Sequence, residues 1–131
     1  MKKSYKGLVL WLIAYLLGFV PMFAIDDGAI VTRLTLWYTS AMITGLMLII
    51  RNTDSVYWIN SVDFKTAEKV GYEKRMEFAQ AHLDKFKKHT VLYTVFTLAS
   101  YFLGLHFAID ITVFCISLIV TAFSTINIRL K

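Results

Sequence analysis

The chain reads as an all-α integral membrane protein with four transmembrane helices and a cytoplasmic helical segment between the second and third. Three observations predict this. Hydrophobic residues make up 57% of the sequence and charged residues only 18%, more apolar surface than so short a chain can bury by itself, whereas a bilayer can solvate it. The charges are also gathered: apolar stretches at 8–25, 30–50, 90–104 and 109–128 flank one polar island at 51–89. Third, that island holds eight of the fourteen Lys and Arg residues. At 131 residues there is room for a single polytopic domain.

The first span follows Lys2, Lys3 and Lys6. A basic start and an apolar run also fit a signal peptide, but Met22 and Ala24 make a poor small-x-small cleavage site, so a retained helix is expected. Pro21 falls in its last turns, where a kink is tolerated. Asp26, Asp27 and Gly28 form a turn, with Asp27 placed to cap the second span. Arg33 lies one turn into that span, from which it is expected to snorkel to headgroups or to meet Asp26 and Asp27.

In the island, Tyr57 and Trp58 suit the headgroup level, and residues 63–70 read as a short helix ended by Gly71. No Gly or Pro then occurs until Gly104. A single helix of about 32 residues, near 48 Å, is therefore expected, half in water and half in lipid. Tyr72, Met76, Ala79, Leu83 and Phe86 recur along one side of it at a seven-residue period. Phe78 stands out on the charged side, where Asp84 and Lys88 are an i,i+4 match. Small residues then line the third span at Thr90, Thr97, Ser100 and Gly104, and similar pairs occur at Ala14 and Gly18 and at Ala41 and Gly45. Asp110 is the expected cap of the fourth span, and Cys115 within it is expected to be a buried structural thiol.

Orientation follows from the basic residues. Thirteen of the fourteen lie before the first span, in the island or after the fourth span, and only Arg33 lies on the other side. N- and C-termini and island are thus expected to be cytoplasmic, with the turns at 26–28 and 104–110 outside. The excess of five positive charges then reports topology and anionic lipid headgroups, which Lys85, Lys87 and Lys88 would meet, rather than nucleic acid. Without sequon, retention signal or lipidation box, a bacterial plasma membrane is the expected location.

Two groups of residues are candidates for function. The five seam residues from Tyr72 to Phe86 are apolar side chains on a cytoplasmic helix and must bury against a partner, a second copy or the short helix before them. Asp26, Asp27, Arg33, His106 and Asp110 gather at the outward ends, as caps and anchors or as a proton-sensitive vestibule. His82 and His89 are seven apart, whereas helical zinc pairs use i,i+4, so no metal or other cofactor is expected.

Span number and chain size resemble those of small multidrug transporters. That family depends on a carboxylate in the first span, and here the stretch reads Leu-Val-Leu-Trp-Leu-Ile-Ala-Tyr from Leu8. No intramembrane protease set, phosphate loop or lipid-kinase Glu and Asn cluster is visible. The expected function is accordingly non-catalytic: an accessory, regulatory or immunity-type subunit acting by binding another membrane protein or its own copy. The alternative is a small dimeric permease or lipid-handling protein lined by Tyr15, Tyr38, Thr44, Thr94, Tyr101, Ser117, Thr121 and Asn127.

Overall fold

The computed structural model describes residues 2–59 and 62–130. Among them the chain is all-helical, with α1 (Lys6–Leu17), α2 (Gly28–Asn52), α3 (Phe64–Lys69), α4 (Tyr72–Leu103) and α5 (Phe107–Ser124). Three stretches of the described residues are long and apolar enough to cross a membrane: Lys6–Ala24, Gly28–Asn52 and Phe107–Ser124. The long helix α4 is not one of them, because its first half carries the charges of the island.

The first apolar stretch is not one continuous α-helix. The α-helix stops at Leu17, and a 3-10 turn at Val20–Ala24 follows, with Pro21 in its opening turn. Pro21 has no N–H to donate to the Leu17 carbonyl, and its ring crowds that carbonyl. A close approach accompanies the break: a Cβ on Gly18 would lie 1.9 Å from the Tyr38 hydroxyl. That hydroxyl donates to the carbonyls of Ala14 and Tyr15, at 3.1 and 3.0 Å. Stacking of Tyr15 on Tyr38 and a bond from Trp11 Nε1 to the Met42 carbonyl complete the α1–α2 seam.

Helix α2 starts as its sequence suggests, with the Asp27 carboxylate accepting from the backbone N–H groups of Ala29 and Ile30. It runs antiparallel to α4. Trp37 Nε1 donates to Thr94 Oγ1 at 2.8 Å, the hydroxyls of Ser40 and Thr90 are 3.0 Å apart, and Thr44 Oγ1 donates to the Phe86 carbonyl at 2.9 Å. Extended by a turn, this register sets the charges at 84–88 beside α2 itself rather than beyond its Asn52 end.

The island folds back on α2. Ile50, Val56, Tyr57, Val62, Ala67, Phe78 and Ala79 form one buried cluster. Tyr57, expected at a headgroup layer, is therefore interior, and its hydroxyl donates to the Ser4 carbonyl. Phe78 is buried too, because the inward line of α4 runs through Arg75, Phe78, Ala79, His82 and Phe86. Asp63 caps α3 by accepting from the Thr66 N–H, and hydrogen bonding by the Thr66 side chain and then by its N–H holds the carboxyl below the usual range. Arg75 grips Asp54 with two bonds of 2.8 Å and donates from Nη1 to the carbonyls of Ala67 and Val70. That pairing raises the guanidinium pKa further. Asp84 accepts from Gln80 at 2.7 Å, not from the expected Lys88.

Gly104, in the left-handed conformation at φ 67°, ends α4. His106, not Asp110, caps α5, its Nδ1 accepting from the Ala108 N–H. The last helix closes at Ser124, four residues short of the expected end. Cys115 is exposed rather than buried. The inward line of α5 passes through Asp110, Phe114 and Ser117, which turns position 115 about 100° away from it.

Candidate functional site

The chemistry of this fold lies along the inward face of α4, where α2 and α5 close over it. His89 is its centre. Only 6% exposed, its ring sits between Ser40 of α2, 2.8 Å from Nδ1, and Ser117 of α5, 2.9 Å from Nε2. Thr44 and Thr90 extend the network at 2.7 Å, and Thr90 also donates to the Ser40 carbonyl. Ser117 donates to the Phe114 carbonyl at 3.1 Å, which leaves its oxygen to accept from His89 Nε2–H. Nδ1 then accepts from Ser40. A neutral imidazole with its proton on Nε2 thus satisfies both neighbours, as buried polar groups require.

Toward the Gly104 end the line continues through Tyr93, whose ring stacks parallel to His89 at 5.9 Å. It ends in an ion pair. Arg33 Nε is 3.3 Å from Asp110 Oδ2, with the Asp110 side chain fully buried and that of Arg33 11% exposed. Ser100 Oγ donates to the same carboxylate oxygen at 2.9 Å, and Arg33 Nη2 donates to the Leu105 carbonyl. Asp110 Oδ1 and Thr97 Oγ1 are buried here without a hydrogen-bond partner among the described residues. Removing two charges from water is costly, and only close geometry offsets the loss.

Beside His89 a side-opening cleft of about 520 Å³ separates α4 from α5. Leu92, Phe96, Val113 and Val120 give it apolar walls, His89, Ser117 and Thr121 polar points, and Lys85 and Lys88 a basic end. A second hollow, of about 850 Å³, lies between the island and the C-terminal segment and includes His82 and Arg129. His82 bonds through Nδ1 to the Phe78 carbonyl at 3.0 Å, and burial lowers its pKa.

Of the outward cluster, the fold joins only Arg33 and Asp110. Asp27 and His106 are helix caps and Asp26 is exposed. Arg33 neither snorkels nor meets the aspartates before it, because α5 delivers Asp110 directly to its side. Of the α4 seam, Ala79, Leu83 and Phe86 are buried within the chain, Met76 is half-buried and Tyr72 is 60% exposed. The eight residues suggested as a lining do not share one path. Tyr15 and Tyr38 lie in the α1–α2 seam, Tyr101 and Asn127 are exposed, and Thr44 and Ser117 join the His89 network.

His89 is the functional candidate that sequence reasoning missed, having weighed it with His82 as a metal pair. A signal was available: Ser40, Thr44 and Ser117 are polar side chains inside apolar stretches and need a partner. Among the described residues no three His, Cys, Asp or Glu side chains gather as a metal site would.

Fold and site together define a class: among the described residues, an all-helical chain with three apolar helices of membrane-crossing length and a polar line along α4. No family model, curated protein or solved structure matches it.

Proposed function

We propose that this chain is a multi-pass membrane protein acting by binding, an accessory, regulatory or immunity-type subunit of a plasma membrane. Residues 90–103 of α4 make a fourth crossing in this reading. Their outward side chains, including Val95, Leu98 and Phe102, are exposed, and an apolar surface of this kind needs lipid or a partner to cover it. The α2–α4 register supports the crossing, since Thr94 and Thr90 lie beside Trp37 and Ser40 near the middle of α2. Both termini and the island then share the cytoplasmic side, as the basic residues indicate.

The observation that carries the binding reading is the α4–α5 cleft. It combines apolar walls with a few convergent polar groups, the usual make-up of a ligand site, at a usual volume. A partner protein or second copy has a separate surface on α4, where exposed Tyr72 lies beside Met76, Gln80 and Asp84.

A dimeric permease is the second reading, and the polar line from His89 through Tyr93 to Asp110 and Arg33 favours it. Liposomes containing only this protein separate the two. Ion and proton flux equal to that of empty vesicles is the expected result. Flux above that level, abolished by His89→Leu, would favour the permease and end the binding reading.

A further inference from the structure

Lys85, Lys87 and Lys88 are equivalent in the sequence but not in the structure. Lys85 and Lys88 line the basic end of the α4–α5 cleft, and Lys87 does not. Helix geometry accounts for this. Positions 85, 88 and 92 share a face, whereas 87 points about 200° from 85. Beyond the lysines the cleft continues between Leu92 and Phe96 on α4 and Val113 and Val120 on α5. Among the described residues no carboxylate lines it. Its side opening faces outward between two helices whose outer surfaces are apolar, with Leu92 60% and Val120 61% exposed.

Cationic at one end, apolar along its length and open to the side, the cleft matches an anionic amphiphile entering from the bilayer. Resting on the multi-pass membrane-protein reading above, we infer that it holds one anionic phospholipid, with an acyl chain between α4 and α5 and the phosphate on Lys85 and Lys88. At about 520 Å³ the cleft takes a chain and not a whole lipid, so the headgroup stays at the lysines. Charge complementarity selects the occupant, because a zwitterionic lipid offers the same chain but no net charge to the two ammonium groups.

The test uses the full chain in nanodiscs of phosphatidylcholine with a minority of phosphatidylglycerol, reading lipid retained after transfer to detergent by native mass spectrometry. Lys85→Gln and Lys88→Gln should each reduce phosphatidylglycerol retention about fivefold, the factor expected per basic residue at an anionic surface. Lys87→Gln should change it by less than about twofold on the same scale. Val113→Trp, which fills the cleft and leaves all three lysines in place, should reduce retention as well. Thermal unfolding of each variant confirms that the fold persists.

Equal losses from all three lysine variants would mean diffuse headgroup attraction and would overturn the site. Unchanged retention in Val113→Trp would overturn it too, as would equal retention of phosphatidylcholine. These outcomes are independent of liposome flux: a failed lipid site leaves the binding reading standing, and His89-dependent flux ends that reading whatever lipid is retained.

Discussion

Asp110→Asn tests the ion pair that ties α2 to α5. The substitution keeps the shape of the side chain and an oxygen for Ser100, which donates to Asp110 Oδ2 at 2.9 Å. It removes only the charge. Arg33, 9% exposed, then becomes a buried cation whose remaining partner is the Leu105 carbonyl. Breaking a buried pair from one side costs about 3–5 kcal/mol, most of it the stranded charge. Unfolding of the purified protein in mixed micelles, followed by circular dichroism, should show a loss of that size. Replacing both partners, Arg33→Met with Asp110→Leu, should recover most of it, since an apolar pair of similar volume is often no worse. A loss below about 1 kcal/mol in Asp110→Asn would refute the buried pair, because exposed pairs contribute no more than that. A double variant as unstable as the single one would refute the assignment of the cost to charge.

Other outcomes follow from the same geometry. Gly18→Ala places a methyl within 1.9 Å of the Tyr38 hydroxyl and should cost about 1–3 kcal/mol as overpacking, but should add little further loss in a Tyr38→Ala background. Arg75→Lys keeps the charge but loses the two-pronged grip on Asp54. It should cost about 1–3 kcal/mol in the same unfolding assay. His82 is held neutral by burial, its pKa lying below the ordinary value of 6.5. The unfolded chain therefore binds the extra proton first, so stability is full above about pH 6.5 and falls as the pH drops below it. His82→Gln should flatten that part of the stability profile, and an unchanged slope would count against a buried neutral ring.

The long helix α4 was legible because nothing between Tyr72 and Leu103 breaks a helix, and the cap at Asp27 was legible from residue type and position. The pairing of Arg33 with Asp110 was not. Each has a plausible local role near a helix end, and only the packing of α5 beside α2 shows that they meet. His89 was hidden for a related reason. From sequence the charges before it suggest a water boundary along α4, whereas its burial is set by α2 and by the register of Ser40 with Thr90. On the first half of α4 the seam residues Ala79, Leu83 and Phe86 are buried, but so are Arg75, Phe78 and His82, so the buried line is rotated toward the side that carries the charges. A periodic pattern gives the stripe but not which neighbour covers it. Cys115 shows the limit of composition, since apolar residues occur on every side of α5 and burial there depends on which side meets α4.

The fourth crossing by α4 is the claim on which the topology and both binding surfaces depend. Site-specific labelling with a membrane-impermeant maleimide tests it most directly, in a Cys115→Ser background carrying single cysteines at Gly28, Glu73 or Phe107. The account requires Gly28→Cys and Phe107→Cys to react from outside intact cells, and Glu73→Cys only after permeabilisation. Should Phe107→Cys behave like Glu73→Cys, α4 does not cross, and the four-span account is contradicted.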